Sequence, residues 1–285
     1  MSQKITLFYC VILFLSAKMT LASILPPNDL HLELSFLPSN ISEEEFNQLI
    51  DHAESIYQPI VANLQGELVV NRLWKDNKVN ANATRSNNKW IVNMYGGLAR
   101  RQEITADAFT LVICHELGHH LAGYPKVQRT YHKWAASEGQ SDYFATLSCA
   151  RELWTKMPRE NTEKAEEAID ESAKALCEEV WSTNSDQNLC YRALMAAQSV
   201  ALLLARGAKV GFDSPDKSQV SSMKTSHPAA QCRLDTFVQG ALCIRKFDIQ
   251  RIPQNYEDSL DHSCSRADQF SIGTRPLCWY KPPSE

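Results

Sequence analysis

The spacing of apolar residues changes along the chain and predicts more helix than sheet. Two short runs rich in β-branched residues, "ELVVNRLW" from Glu67 and "KWIVNMY" from Lys89, have the length and composition of strands. Apolar positions three and four residues apart, which form one stripe on a helix, recur in longer segments. Helices are predicted in this way over residues 43–64, 106–122, 138–154, 161–181, 188–207 and 227–243. The chain is therefore predicted to be of the α+β class, rich in helix, with a small sheet.

Local signals at the helix ends support these boundaries. Ser42 with Glu45 forms a capping box at the start of the first helix, and Thr105 is a suitable N-cap for the second. Gly123 is expected to end that second helix, because glycine readily takes the left-handed conformation that follows many helices. Pro59 is expected to kink or end the first helix, because proline lacks the backbone N–H that a helix interior needs.

The N-terminus has the layout of a secretory signal peptide. A short basic stretch, "MSQK", precedes thirteen largely apolar residues, "ITLFYCVILFLSA", whereas a bilayer span needs about 20. Small residues at Ala22 and Ser23 suit signal-peptidase cleavage, so residues 1–22 are predicted to be a signal peptide. The alternative is an uncleaved anchor, although Lys18 interrupts the end of the apolar run. With the signal removed, we expect an exported protein, periplasmic or secreted, with no stable membrane span.

Cysteine usage agrees with export. The chain has nine cysteines, and the loss of Cys10 with the signal leaves an even number, which predicts disulfides in an oxidising compartment. The end of the chain has few apolar residues to hold it in place. We therefore predict a catalytic domain over residues 23–244 and a cysteine-containing extension over residues 245–285 that relies on crosslinks.

Helix geometry limits which cysteines can pair. Cys232 and Cys243 are eleven residues apart on one predicted helix. This is about 16 Å at 1.5 Å per residue, beyond the roughly 7 Å between Cα atoms that a disulfide allows. They are therefore not expected to bond each other. The pairs that the intervening turns allow are Cys177 with Cys190 and Cys264 with Cys278, and Cys114 is expected to remain a buried free thiol.

The charge balance argues against a nucleic-acid partner. The formal net charge is −4, the isoelectric point is about 6.1, and the lysines and arginines form no cluster. Nucleic-acid binders usually carry a concentrated basic patch. The chemistry of this chain must therefore be sought among its histidines and carboxylates.

Three histidines and a glutamate interrupt the apolar run "LVICHELGHHLAG" at residues 111–123. They are either the polar stripe of an amphipathic helix or part of a metal site. His115 and His119 are four residues apart, so both imidazoles project from one face of a helix and can reach one zinc ion. Glu116 points to the side, where it can address a water molecule, and His120 is rotated away by about 100°. The His-Glu-x-x-His pattern favours the metal site.

The third ligand of a catalytic zinc is predicted to be Glu138. It follows His119 by nineteen residues and starts a new helix, which a loop of this length can fold back against the first. Asp142, one turn further on the same face, is placed to accept the free ring N–H of a ligating histidine. Alone, these two carboxylates are more typical of a solvated helix face; their distance from His115 and His119 favours the metal site.

These motifs resemble those of a known group of enzymes. His-Glu-x-x-His followed by a Glu-x-x-x-Asp helix resembles the gluzincin metallopeptidases, the clan that includes thermolysin. The closer likeness is to peptidases related to the CAAX prenyl protease and its soluble periplasmic relatives. It covers about residues 79–235, with "VNANATRSNNKWIVNMYGGLARR" before the zinc helix and "SHPAAQCRLDT" after it. The chain departs from that family in its short spacing between zinc helix and glutamate, in its added cysteines and in lacking the transmembrane helices of membrane-bound members.

The resemblance implies a zincin-like fold and an exported zinc-dependent endopeptidase acting on protein or peptide substrates. One Zn²⁺ bound by His115, His119 and Glu138 would hold the attacking water, with Glu116 as general base. The strand "KWIVNMY" is either the sheet edge to which an extended substrate adds, as in the relatives, or an ordinary interior strand. Two other functions remain open: a zinc-binding but catalytically silent chaperone or inhibitor-like protein, and a zinc amidase acting on cell wall.

His227, in "TSHPAAQCRL", is a further candidate for catalysis. Pro228 suits the start of the following helix, on a loop that can approach the zinc. His227 is either an ordinary surface residue, a ligand that fills the open zinc position and keeps the enzyme latent, or a donor to the oxyanion. Arg233, six residues further, either stabilises the same charge or pairs with a carboxylate.

Overall fold

The computed structural model describes residues 22–32, 39–127 and 133–283, so the predicted signal peptide lies outside the described residues except for Ala22. The elements in chain order are β1 Ala22–Ser23, α1 Glu43–Asn63, β2 Glu67–Leu73, β3 Ala81–Ser86, β4 Lys89–Tyr95, α2 Gly96–Ala99, α3 Ala106–Leu121, α4 Glu138–Phe144, a π-helical turn Ala145–Cys149, α5 Ala150–Trp154, α6 Pro158–Ala165, α7 Glu171–Val180, α8 Asn184–Ala205, α9 Ala230–Leu242 and α10 Tyr256–Leu260. The prediction of a helix-rich α+β chain with a small sheet is confirmed.

The described strands form one sheet in the order β1-β3-β4-β2. β2 and β4 are parallel, β3 is antiparallel to β4, and β1 is antiparallel to β3. The strand "KWIVNMY" is therefore interior, which is one of its two predicted positions, and the alternative of a substrate-binding sheet edge does not hold. The outer long strand on that side is β3, "ANATRS". It was not predicted because its buried positions, Ala81 and Ala83, are small.

Helix α3 runs through the centre of the molecule. Its side chains from Ala108 to Leu121 are all buried, and it packs against α1, α4, α8 and β3. A helix that is buried on every side has no solvent-facing stripe. The histidines and Glu116 therefore lie in the protein interior, and the amphipathic alternative for residues 111–123 does not hold.

Helix α8 is long and apolar enough to cross a membrane, judged by length and composition alone. It packs against α3, α6, α7 and α9, and 61% of its most apolar 18-residue window is buried. The core helix of a globular protein has the same character.

The helix boundaries follow the local signals in part. The hydroxyl oxygens of Ser42 and Thr105 cap α1 and α3, as predicted. Pro59, by contrast, lies inside α1 without ending it, because it is on the exposed face, where solvent reaches the carbonyl that it leaves unpaired. The single helix predicted over residues 161–181 is divided into α6 and α7, because the Asp170 side chain caps a new start.

Four disulfides join the described cysteines: Cys114–Cys149, Cys177–Cys190, Cys232–Cys278 and Cys243–Cys264. The predicted Cys177–Cys190 bond is confirmed. Cys232 and Cys243 do not bond each other, which agrees with the unbroken helix α9 between them. Four disulfides are compatible with an oxidising, exported location.

Two predictions about cysteines are wrong. Cys264 and Cys278 do not pair, because the C-terminal segment folds back along α9 and bonds a cysteine at each end of it. Cys114 is not a free thiol, because the π-helical turn packs on α3 and brings Cys149 to a Cα–Cα distance of 5.4 Å. In both cases tertiary packing decides which cysteine is the bonding partner, and the spacing of cysteines along the chain does not reveal it.

Removing both cysteines of the Cys232–Cys278 pair is expected to lower the free energy of unfolding by about 4 kcal/mol, against about 3 kcal/mol for the Cys177–Cys190 pair. The first pair closes a separation of 46 residues and the second of 13, and a longer closed loop restricts the unfolded chain more. Denaturant unfolding of the two double-alanine variants measures both values. A larger loss for the shorter loop would contradict this ranking.

Candidate metal centre

Three side chains from two helices converge at one point in the core. His115 and His119 come from α3, and Glu138 is the first residue of α4, directly after its N-cap Ser137. The two Nε2 atoms are 3.2 Å apart, and Glu138 Oε2 lies 3.3 Å from His115 Nε2 and 3.7 Å from His119 Nε2. Zinc bonds of about 2.0–2.1 Å put tetrahedral ligand atoms about 3.3–3.4 Å apart, so this spacing fits one zinc ion.

The hydrogen-bond partners of the Nδ1 atoms of His115 and His119 indicate where the lone pairs of the two imidazole rings lie. His115 Nδ1 lies 2.7 Å from Asp142 Oδ1, and His119 Nδ1 lies 2.9 Å from the carbonyl oxygen of Ala136. Because both Nδ1 atoms face acceptors, each of them carries a proton, and a neutral ring then has its lone pair on Nε2. Glu138 Oε2 is buried, and His115 Nε2 and His227 Nε2 lie 3.3 Å and 3.5 Å from it. Electron pairs that meet in a dry interior are stabilised by a cation between them.

The ionisation of these groups follows the same geometry. Burial lowers the pKa of His115, but the Asp142 carboxylate, together with Glu138, raises it to about 9. Burial lowers the pKa of His119 to about 4. Burial also acts to raise the pKa of Glu138, yet the neighbouring histidines hold it well below its usual range. Positive charge is thus favoured on His115 and disfavoured on His119, beside a Glu138 carboxylate that stays ionised.

Glu116 lies beside the three converging atoms without joining them. A carboxylate oxygen of Glu116 is within 4.8 Å of the ligand nitrogens of His115 and His119. Both its oxygens are buried and have no hydrogen-bond partner in the described part of the chain. Burial raises the pKa of this carboxyl to about 8. A carboxylate with free lone pairs next to a metal position meets the requirements of a general base.

Helix α9 braces the centre from behind. Arg233 donates through Nε and Nη2 to the two oxygens of Asp142, each at 2.7 Å. Burial acts to raise the pKa of Asp142, but Arg233 and His115 keep it below its usual value. Arg233 therefore pairs with a carboxylate, one of its two predicted roles, and fixes the residue that orients His115. Its remaining nitrogen, Nη1, donates to the carbonyl oxygen of Ile24.

His227 lies on the loop before α9, with its ring at the same centre. Its Nε2 is 2.7 Å from the carbonyl oxygen of Ser23 and 3.5 Å from Glu138 Oε2. Only 19% of its side chain is exposed, so it is not an ordinary surface residue. Burial lowers its pKa. A neutral ring whose Nε2 faces two acceptors carries its proton there, so His227 acts as a donor in this arrangement.

His120, which was predicted not to ligate, points away from the centre. Its ring is stacked between Trp90 and Trp134. Its nitrogens lie 3.2 Å from Arg85 Nε and 3.2 Å from the carbonyl oxygen of Ile91. His120 therefore has a structural role in the packing of the sheet against α3.

Two neighbours of the centre were not predicted. Residues 22–25 lie directly over it, and Trp279 of the C-terminal segment packs on Gly139, next in sequence to Glu138. A Cβ atom at Gly139 would lie 2.3 Å from the Trp279 ring, so this approach requires glycine. Arg275 also donates to the side chain of Gln140, on the same helix. In the sequence, the glycine at position 139, next to the predicted ligand Glu138, was the signal that another segment packs closely there.

The centre combines two imidazoles, a carboxylate at ligand spacing and a second carboxylate beside them. That combination can hold a divalent metal and deprotonate a water molecule next to it. Comparisons of the chain with protein-family models, with curated proteins and with solved structures found no match.

Proposed function

We propose that the chain is an exported zinc-dependent endopeptidase in which His115, His119 and Glu138 hold one Zn²⁺. The observation that carries this proposal is the convergence of three electron pairs in the interior at the spacing of tetrahedral zinc ligands. Three protein ligands leave a fourth position open, which is typical of a catalytic rather than a structural zinc.

Zinc bound there would act as a Lewis acid on the scissile carbonyl and make water acidic enough to attack near neutral pH. Glu116 takes the proton from the attacking water and delivers it to the leaving nitrogen. Neither oxygen of Glu116 has a hydrogen-bond partner among the described residues, and this favours an enzyme over a catalytically silent zinc protein.

His227 is assigned the role of hydrogen-bond donor to the carbonyl oxygen of the substrate. Its ring donates to a backbone carbonyl, that of Ser23, and a substrate carbonyl in this place would be stabilised as it becomes an oxyanion. A latency ligand would need a lone pair on Nε2, the atom that faces two acceptors. Arg233 has a positioning role, because it holds Asp142 against His115.

Casein hydrolysis by the purified secreted protein is expected to fall to background when a chelator removes the metal and to return with stoichiometric Zn²⁺. The reason is that the proposed chemistry needs a cation among His115, His119 and Glu138. Release of acid-soluble peptide and zinc content are measured on the same samples. Hydrolysis that persists after the zinc has left contradicts the proposal, and soluble cell-wall fragments with uncut casein would favour the amidase alternative.

A further inference from the structure

Residues 22–25, here called the N-terminal strap, lie across the metal centre. β1 pairs antiparallel with β3, with Ser23 opposite Asn82, and the Ile24 N–H donates to the carbonyl oxygen of Ala81 at 3.3 Å. Backbone pairing with a sheet edge is a common way to hold an extended peptide. The strap therefore has the backbone geometry of a bound peptide.

The peptide group between Ser23 and Ile24 faces the proposed catalytic side chains. The Ser23 carbonyl oxygen accepts from His227 Nε2 at 2.7 Å, and the Ile24 carbonyl oxygen accepts from Arg233 Nη1. The Ile24 nitrogen itself is held by its hydrogen bond to the Ala81 carbonyl oxygen of β3. One peptide bond is thus held at its carbonyl oxygen, at its nitrogen and at the next carbonyl.

The side chains of the strap fill apolar space. Ile24 is 0% and Leu25 is 1% exposed, and both belong to the main hydrophobic core. Asn80 fixes Leu25 by accepting from its N–H at 3.1 Å and donating to its carbonyl oxygen at 3.3 Å. The side chain directly after the Ser23–Ile24 bond therefore occupies a closed apolar pocket, which suits a branched aliphatic residue.

The strap also closes the centre to solvent. His115, Glu116 and His119 have no exposed surface, and Glu138 is 5% exposed. A second polypeptide that approached these residues along β3 would need the edge that the strap occupies. Occupancy by the strap and binding of another substrate are therefore mutually exclusive.

We propose that the Ser23–Ile24 peptide bond is the first substrate of this centre, cut within the protein's own chain. This inference rests on the proposed function and defines its substrate class. That class is an extended peptide that pairs with β3 and has a branched aliphatic residue directly after the cleaved bond. Cleavage detaches Ser23 and everything before it, so the part of the strap that forms β1 can leave the edge to other peptides.

The reaction consumes one water molecule. Its oxygen bonds to the carbonyl carbon of Ser23 while a proton passes to Glu116. The bond from that carbon to the Ile24 nitrogen then breaks, and Glu116 returns the proton to the nitrogen. Both water protons end on this nitrogen, so the products are a Ser23 carboxylate and an Ile24 ammonium group.

The test identifies the N-terminal residue of the secreted protein. The full chain is produced with its own leader in a secreting host, as wild type and as Glu116→Gln. Intact mass and N-terminal sequencing are expected to find Ile24 first in the wild type, and Ser23 or an earlier residue first in Glu116→Gln. The same first residue in both proteins would show that another peptidase makes the cut, and would overturn the proposal. Ile24→Val is expected to keep the cleavage and Ile24→Asp to lose it, because the pocket does not solvate a carboxylate.

A second measurement does not depend on catalysis. In zinc-loaded Glu116→Gln the uncut strap should slow the loss of zinc to a chelating dye. Adding Ile24→Asp is expected to speed that loss severalfold, whereas adding Ile244→Asp, at an isoleucine that is 57% exposed, is not. Equal rates in all three proteins would show that the strap does not close the centre. If Ile24→Asp fails to fold, the comparison of first residues still decides.

Casein hydrolysis by the same preparations separates this proposal from the general function. If the wild type cuts casein while its Ser23–Ile24 bond is intact, self-cleavage is wrong and the endopeptidase proposal stands. If Ile24 becomes the first residue only when Glu116 is present, and casein stays uncut, self-cleavage stands and activity on other proteins is wrong.

Discussion

Glutamine in place of Glu116 is expected to lower kcat on casein by about 10²–10⁴-fold, the usual contribution of a general base, with zinc content and fold unchanged. An amide of the same shape cannot accept the proton of the attacking water. Both oxygens of Glu116 are without a hydrogen-bond partner among the residues that the structure describes, so the replacement breaks none of the described hydrogen bonds. Loss of rate without loss of metal distinguishes a base from a ligand.

Steady-state kinetics, zinc per chain and circular dichroism measure these three quantities. Glu160→Gln is the matched control, because Glu160 lies in the exposed first turn of α6 and should tolerate the change. Turnover close to that of the wild type in Glu116→Gln would remove Glu116 from proton transfer. A parallel loss of zinc would mean that Glu116 binds the metal instead.

Alanine in place of Glu138 is expected to reduce bound zinc from stoichiometric to trace amounts and to abolish casein hydrolysis. The change removes one of three ligand atoms and the negative charge that offsets the cation in a buried site. α4 also loses an acidic residue at its positive end, which costs only about 0.3–1 kcal/mol of stability. Elemental analysis after dialysis against metal-free buffer measures the zinc.

Glu171→Ala is the matched control for this change. Glu171 is the first residue of α7 after the N-cap Asp170, so it occupies the same helical position as Glu138, but its side chain is exposed and is not one of the converging groups. It should lose the same small contribution to stability and keep zinc and activity. Stoichiometric zinc in Glu138→Ala would place the third ligand elsewhere. Asp142 is a poor substitute, because Arg233 and His115 already engage its oxygens.

The helices and the residues of the centre could be predicted because their determinants are local. A helix fixes the direction of side chains four residues apart, so His115 and His119 point the same way whatever surrounds them. The short connection to the next helix limited the candidates for a third ligand to Glu138 and its neighbours. The structure brings these three side chains together.

The parts that were not predicted depend on contacts between distant parts of the chain. The position of "KWIVNMY" inside the sheet follows from its pairing on both sides, which a run of apolar residues does not encode. The Cys114–Cys149 bond depends in the same way on how α3 packs against the π-helical turn. The pairing of residues 22 and 23 with β3 was not predicted, because small residues near a hydrophobic segment suit signal-peptidase cleavage and give no indication of strand pairing.

The packing of Trp279 on Gly139 links the metal centre to the other end of the chain. Trp279 directly follows Cys278, whose disulfide to Cys232 ties the C-terminal segment to α9. Without this bond, only noncovalent contacts hold the indole against the start of α4, where Glu138 lies. The start of α4 would then be held less firmly, and with it the Glu138 carboxylate near the two histidines.

A newly made chain in a reducing cytoplasm would therefore contain the three ligand residues without a firmly assembled centre. Oxidation of Cys232 and Cys278 completes the support of α4, and this bond forms readily only in an oxidising compartment. The Cys232–Cys278 disulfide would in this way keep the protein inactive inside the cell that makes it. Under the proposed function, hydrolysis would then become possible only after export.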